Sequence, residues 1–211
     1  MREFRVTLLT DGKSDRALIP PITWLLHEKL PTIPVRVEWA DLAGLPRPPA
    51  GLAERMRAAL EYYPCDTLMV HRDAETERRE KRVAEIVDAV AELPTTKPHV
   101  CVITVRMQEA WMLIDEDAIR AAAGNPRGSV ALAMPRLQRL EDLPEPKNVL
   151  RELLRKASEL TGRRLKKFSA SASAHRVAEL IDDWRPLRKL TAFVEFEREL
   201  DQVLAALGYP R

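Results

Sequence analysis

Acidic side chains follow three of the strand-like segments in this sequence. Asp11 comes directly after the first apolar segment. Asp73 and Glu75 follow the third segment, and Glu109 follows the fourth. Ligands of a parallel α/β sheet lie beyond the carboxyl ends of its strands, so we expect these carboxylates at one edge. Clustered carboxylates that cannot neutralise one another usually hold Mg²⁺ or Mn²⁺, and the pattern therefore predicts a divalent-metal site.

Each of these acidic residues also has a purely structural interpretation. Asp73 and Glu75 are two positions apart, so in extended backbone both side chains could point to one side and share a metal ion. The same pair could instead open the following helix as N-cap and first-turn acid. Asp11 with Gly12 is a common turn pair, and Glu109 could be an ordinary first-turn carboxylate. The residue types alone leave both interpretations open.

Strands and helices alternate in the first half of the chain and would position these side chains. Apolar, β-branched segments predict strands at 4–9, 35–39, 66–71 and 99–105. Apolar residues at helical spacing predict helices at about 14–30, 52–62, 77–93 and 107–123. Four β–α pairs in series predict an α/β fold with a mainly parallel sheet flanked by helices.

The second half of the chain has a different composition. Residues 124–146 contain four prolines and predict an irregular connection. Helical patterns follow at about 148–161, 173–183 and 191–207, without a convincing strand. We therefore expect an α/β module at 1–123 and a helical appendage at 147–211 that packs on the module.

Composition and residue spacing argue against several classes of function. Cys65 and Cys101 lie far apart without a nearby histidine pair, so we expect two small core residues rather than a zinc site or disulfide. No glycine-rich phosphate loop occurs among the 7 glycines. No apolar stretch approaches the roughly 20 residues that a membrane helix needs. We expect a cytoplasmic protein without membrane contact, and the net charge of +2 names no partner.

Basic residues are concentrated near the C-terminus. Residues 147–189 contain twelve Lys and Arg against five Asp and Glu. An excess of this kind binds the phosphate backbone of nucleic acids, although a solvated helix face is the simpler alternative. The residues that we predict to contact nucleic acid are Lys147, Arg163, Arg164, Lys166 and Lys167. The tryptophans at 24, 39, 111 and 184 all have apolar neighbours in register and are predicted to pack in the core.

Several of these segments resemble motifs of one protein family. The run L-T-D-G-K-S-D at 9–15 is similar to the E-G-x-[ST]-E turn of Toprim-like proteins, especially the bacterial DUF4276 family. The run V-H-R-D-A-E at 70–75 resembles their strand that ends in D-x-D. Residues 108–115 resemble the E-x-W-[FL]-x-x-D helix of that family. Residues 146–150 and 193–196 resemble its C-terminal P-K-x-x-L and Phe-containing segments.

This resemblance implies a divalent-metal-dependent, Toprim-like nuclease or phosphotransfer protein that acts on nucleic acid. It places Asp11 as general acid or base and Asp73 and Glu75 as ligands of Mg²⁺ or Mn²⁺. Glu109 is the second candidate catalytic residue. The chain has Asp for Glu at 11 and 15 and Glu for Asp at 75, which moves each carboxylate by one methylene.

The resemblance also bears on partners and on alternative functions. It implies a role in phage defence, with an ATPase as protein partner. One alternative is a catalytically weak Toprim-like subunit that works by binding a partner. Another is a small-molecule phosphoesterase that uses the same carboxylates.

Overall fold

Four parallel strands form the centre of the protein. The computed structural model describes residues 2–95 and 97–209. Its strands are β1 (Phe4–Leu9), β2 (Val35–Trp39), β3 (Thr67–Asp73) and β4 (His99–Thr104). They lie in the order β2-β1-β3-β4, and every neighbouring pair is parallel. The predicted α/β fold with a parallel sheet and a C-terminal helical region is confirmed.

The described residues form eight α-helices. They are α1 (Ile19–Lys29), α2 (Leu52–Tyr62), α3 (Arg79–Ala91), α4 (Glu116–Ala122), α5 (Pro146–Ala157), α6 (Gly162–Lys167), α7 (Ala170–Leu180) and α8 (Thr191–Ala206). Short 3-10 helices cover Lys13–Leu18, Gln108–Met112, Leu137–Asp142 and Arg185–Lys189. The first two of these follow β1 and β4 at the carboxyl edge of the sheet.

Each face of the sheet has its own hydrophobic core, because successive strand side chains point to opposite faces. Met69 of β3 belongs to a large core that includes residues of α1, α4, α5, α7 and α8. Leu68 and Val70 on either side of it belong to a smaller core with α2 and α3. The C-terminal helices therefore cover one face of the sheet and share their core with it.

The structure differs from the sequence prediction at several helix ends. The helix predicted at 107–123 is interrupted, because the Asp115 carboxylate accepts a hydrogen bond from the Ala118 amide at 2.9 Å and caps a new helix. Ser169 caps α7 in the same way through the Ala172 amide at 3.2 Å, so α7 begins earlier than predicted. The short helix α6 was not predicted.

Two expectations about the remaining chain can be compared with the structure. Cys65 and Cys101 are buried and unpaired with one another, as predicted. Burial raises the pKa of the Cys101 thiol strongly, so the thiol stays protonated. Over residues 2–95 and 97–209, no helix combines the length and the apolar character that crossing a membrane requires.

Candidate functional site

The turn after β1 is built around Asp15. Its carboxylate accepts hydrogen bonds from the Gly12 amide at 2.8 Å and from the Ser14 hydroxyl at 3.0 Å. Asp15 is 6% exposed, so these donors replace the water that it has lost. The carboxylate thereby fixes the backbone at the carboxyl end of β1.

Asp73 is held in place at the end of β3. Its Oδ1 accepts hydrogen bonds from the Thr104 hydroxyl at 2.7 Å and from the Gln108 amide at 3.0 Å. The ring of His71 places Nε2 at 3.4 Å from the same oxygen. Burial acts to raise the pKa of Asp73, but His71, Thr104 and the Gln108 amide outweigh it and hold the pKa below its ordinary value. Asp73 is therefore ionised at neutral pH.

His71 lies directly beneath Asp73, because residues two apart on a strand share a face. The ring is 1% exposed, and its Nδ1 donates to the Val102 carbonyl at 2.8 Å. Burial acts to lower the pKa of His71, but the carboxylates of Asp73 and Asp15 raise it above its ordinary value. A positive charge on His71 would thus be balanced by two carboxylates.

Glu109 is the second buried carboxylate at this edge. It lies in the 3-10 helix that follows β4, and it is 6% exposed. Burial raises its pKa; the Lys147 ammonium opposes this, and the Asp73 charge adds to it. The Lys147 Nζ lies 3.5 Å from Glu109 Oε1. The environments of Asp73 and Glu109 thus push their pKa values in opposite directions, which is the pattern of an acid–base pair.

A cavity of about 110 Å³ opens beside Glu109 and Lys147. Gln108 lines it, and the buried Gln108 Oε1 has no hydrogen-bond donor among the described residues. The C-terminal helices contribute Arg151 from α5 and His175 from α7. An unsatisfied buried acceptor beside charged groups indicates a place that a bound molecule completes.

Asp11, Asp73 and Glu75 do not form one three-residue metal-binding cluster in the part of the chain that the structure describes, contrary to the prediction. The Asp11 carboxylate pairs with Arg55 Nη1 at 2.7 Å and with Arg72 Nε at 3.2 Å. Glu75 is largely exposed and pairs with Arg82 at 3.3 Å. Arg72 and Asp73 are neighbours in β3, so their side chains leave opposite faces of the sheet. Because Asp11 pairs with Arg72 and with Arg55 of α2, its carboxylate lies on the face of the sheet that α2 and α3 cover.

Glu75 misses the cluster for a backbone reason. β3 ends at Asp73, and Glu75 has a φ of 55°, so the extended geometry assumed for the pair is absent. Across the described ranges, no three His, Cys, Asp or Glu side chains converge as a metal site. Metal binding by this protein remains a prediction.

The basic residues separate into two groups. Arg185 pairs with Asp183 at 2.8 Å, and Arg188 pairs with Glu197 at 2.9 Å, so their charges are already balanced. By contrast, four basic side chains of α6 are exposed and form no ion pair with any part of the chain that the structure describes: Arg163, Arg164, Lys166 and Lys167.

α6 lies close to the cavity along the chain. Ser171 lines the cavity, and Lys167 at the end of α6 lies only four positions before it. Four residues span at most about 14 Å. The C-terminal end of α6, with Lys167, therefore lies within about 14 Å of the cavity lining.

Three residues of the site were not predicted from the residue patterns: His71, Gln108 and His175. A usable signal existed for His71, because it lies two residues before Asp73 in the same strand. Gln108 is the residue before Glu109, but its buried, unpaired oxygen is visible only in the fold. His175 reaches the site through the packing of α7, which the sequence does not specify.

Comparisons with known proteins give no relative for this chain. No family model, curated protein or solved structure matches it.

Proposed function

We propose that this protein is a divalent-metal-dependent phosphodiesterase that cleaves nucleic acid at the carboxyl edge of its sheet. The observation that carries the proposal is the pair of carboxylates Asp73 and Glu109, with the Lys147 ammonium beside Glu109. The two carboxylates have pKa values displaced in opposite directions, which suits two different roles in one reaction.

Each of the three side chains has a role that follows from its surroundings. Asp73 keeps a negative charge and a fixed orientation, because three groups hold its Oδ1. Glu109 is the candidate general acid or base, since its burial favours the protonated form and Lys147 the ionised form. Lys147 supplies positive charge where a phosphate would lie, and this stabilises the added negative charge of the transition state.

The site suits a magnesium ion of the kind that is shared with substrate. Mg²⁺ in such sites is bound by one or two carboxylates plus substrate phosphates and keeps several waters. Asp73 is the candidate ligand, because its Oδ2 makes no hydrogen bond with the described residues and its side chain is 29% exposed. A bound metal would lower the pKa of an attacking water and polarise the phosphate.

Nucleic acid is the preferred substrate because of the charge around the cavity. Arg151 and His175 line the cavity, and α6 adds four basic side chains a few residues away. Unpaired basic side chains near a phosphate site give salt-dependent affinity for a polyanion. A small phosphoester would not require α6.

The test is a cleavage assay with purified protein and single- and double-stranded DNA and RNA, with Mg²⁺ or Mn²⁺ and with EDTA. We expect metal-dependent cleavage that falls at least about 100-fold in Asp73→Asn and Glu109→Gln, in the range seen for loss of general acid–base catalysis. Asp117→Asn is the matched control, because Asp117 is exposed in α4. It should cleave like the wild type.

Asp11→Asn separates this proposal from the assignment implied by the Toprim resemblance. Two arginines occupy the Asp11 carboxylate, so we expect the variant to keep activity within a few-fold of wild type. A loss as large as that of Glu109→Gln would return the catalytic role to Asp11. A folded protein that cleaves none of the four substrates with either metal would contradict the proposed function.

A further inference from the structure

A second cavity lies beside the first and has a different chemical character. It has a volume of about 570 Å³ and is lined by Lys13, Arg16 and Trp39 on the side of the sheet. Helix α7 contributes His175, Ala178 and Glu179 to the lining. Ala17 and His175 line both cavities, so the two adjoin.

Trp39 is the unusual member of this lining. Trp24, Trp111 and Trp184 pack in or against the large core, but Trp39 belongs to neither core. This corrects the prediction that all four tryptophans pack in the core. Trp39 ends β2, at the outer edge of the sheet, and remains partly exposed at the cavity.

The indole of Trp39 is held in a fixed orientation. Its Nε1 donates a hydrogen bond to the Thr10 hydroxyl at 3.0 Å, and Thr10 donates in turn to the Gly12 carbonyl at 2.9 Å. The Arg16 guanidinium lies 5.4 Å from the centre of the indole ring, within cation–π distance. The same turn therefore positions both Ser14, which lines the first cavity, and Trp39, which lines the second.

The lining combines an aromatic face, cations and hydrogen-bond acceptors. Lys13 and Arg16 supply positive charge, whereas Asp41 and Glu179 supply carboxylates. A bare anion would be repelled by the two carboxylates. A nucleotide fits all three features, because its base can stack on an indole and donate N–H groups while its phosphate pairs with cations. The volume lies within the range typical of small-ligand sites.

We propose that this second cavity binds an unpaired nucleotide of a single-stranded nucleic acid, with the base against Trp39 and the phosphate towards Lys13 and Arg16. The assignment of a strand rests on the proposed nuclease function, because the shared lining would place the neighbouring phosphate at Lys147. Bases within a duplex are stacked on each other and cannot reach the indole. The substrate of the site is therefore single-stranded at this position.

The test measures binding of a fluorescent twelve-nucleotide oligothymidylate by anisotropy in EDTA, which prevents metal-dependent cleavage. Base–aromatic stacking is typically worth enough to change Kd by about 5-fold to 150-fold. We expect Trp39→Leu to weaken binding by that factor and Trp39→Phe, which keeps an aromatic face, to recover most of it. A blunt duplex of the same length should respond much less to either change.

Trp24→Leu is the matched control. Trp24 also lies under an arginine, Arg188, at 5.1 Å, but it does not line the cavity. We expect it to bind like the wild type, with thermal unfolding confirming that each variant is folded. Trp39→Leu that binds with wild-type affinity would overturn the proposal. Thymidine monophosphate that binds as tightly as the oligonucleotide would overturn the strand assignment and leave a free nucleotide as ligand.

The cleavage assay keeps this proposal separate from the proposed function. Cleavage without any effect of Trp39→Leu on affinity would reject the nucleotide site and leave the nuclease in place. Binding that depends on Trp39, without cleavage by the wild type, would reject the nuclease and leave the nucleotide site. Each of the two inferences can therefore fail alone.

Discussion

At the scale of single residues, partners decide which carboxylates are free to act. The charge of Asp11 is balanced by Arg55 and Arg72. The Asp15 carboxylate already accepts the Gly12 amide hydrogen bond that stabilises its own turn. Glu109 has one ammonium at 3.5 Å and a cavity beside it. Glu109 therefore has space beside it for a ligand, whereas the Asp11 carboxylate already contacts two arginines.

Glu197 illustrates the structural use of charge away from the site. It lies in α8 and joins Lys29 at the end of α1 to Arg188 in the last 3-10 helix, at 2.9 Å in both cases. Burial acts to raise the pKa of Glu197, but hydrogen bonds from Arg188 and Lys29 outweigh it and lower the pKa. The ionised form is therefore the one that stabilises the fold.

Replacement of Glu197 should give a pH-dependent loss of stability. We expect Glu197→Gln to lower the free energy of unfolding by about 1–3 kcal/mol at pH 7, since hydrogen bonds between charged groups are lost. Because the folded pKa is below the unfolded value of about 4.3, this contribution is present above pH 4.3 and disappears as the pH falls through the folded pKa. Urea unfolding of both proteins at several pH values measures the difference.

Glu195→Gln is the control for Glu197→Gln. Glu195 lies in the same helix and pairs with Arg198, whose side chain is 63% exposed. Exposed pairs contribute about 0–1 kcal/mol, so this change should have a small effect at every pH. Equal losses in the two variants, or a loss from Glu197→Gln that does not shrink as the pH falls below 4.3, would contradict the assignment.

At the scale of elements, α6 is exceptional because none of its residues is buried. An apolar stripe normally holds a helix on the protein, and α6 instead carries four basic side chains in six residues. The helix lies in the chain between α5 and α7, which both contribute residues to the cavity beside Glu109. Its position is thus set by α5 and α7, and its basic side chains are available to bind an anionic ligand.

Removal of the α6 charges should weaken binding of nucleic acid without altering cleavage of bound substrate. We expect replacement of Arg163, Arg164, Lys166 and Lys167 by Ala to reduce affinity. The slope of log K against log salt should fall by about 2.8 on single strands and about 3.6 on duplex DNA, if each side chain contacts one phosphate. Filter binding or anisotropy across a salt series gives this slope.

The control for α6 removes the same charge at the opposite edge of the sheet. Its residues lie at or near the amino ends of the strands: Arg2, Arg5, Arg36 and Lys97. Their replacement should leave the slope close to that of the wild type. Unchanged affinity and slope in the α6 variant would return this helix to the solvated-face interpretation.

The elements also show where sequence patterns are informative. Strand positions and the parallel α/β class follow from β-branched runs that alternate with helical spacing, and the structure confirms them. Helix ends were less predictable, because the caps at Asp115 and Ser169 depend on backbone geometry that many Ser and Asp residues could adopt.

The candidate site was predicted only in part, for a related reason. Its sheet edge and Glu109 follow from the order of elements along the chain. The separation of Asp11 from Asp73 depends on which face each side chain leaves, and a one-residue difference reverses that face. The nearness of His175 depends on how α7 packs across the sheet, which no local pattern encodes.

At the scale of the whole molecule, the sheet and the C-terminal helices share one hydrophobic core. The large core contains Phe4 and Val6 of β1 together with Leu150 of α5 and Phe193 of α8. Trp111 contacts the ring of Phe193 edge to face, with centroids 5.2 Å apart. Because Trp111 follows the candidate catalytic Glu109 by two residues, the same packing that stabilises α8 also holds the acid in position.

This coupling predicts that a change in α8 unfolds the entire protein. Phe193 is fully buried, so we expect Phe193→Ala to lower the free energy of unfolding by about 3–5 kcal/mol through lost burial and the cavity left behind. Unfolding should remain a single transition, with far-UV circular dichroism and tryptophan fluorescence giving the same midpoint.

Val194→Ala is the control, because Val194 is 44% exposed and its truncation should cost little. Two separated transitions, with the sheet surviving the loss of α8, would show that the C-terminal helices are an independent unit. In that case Lys147, Arg151 and His175 would reach the site only when the two units are docked.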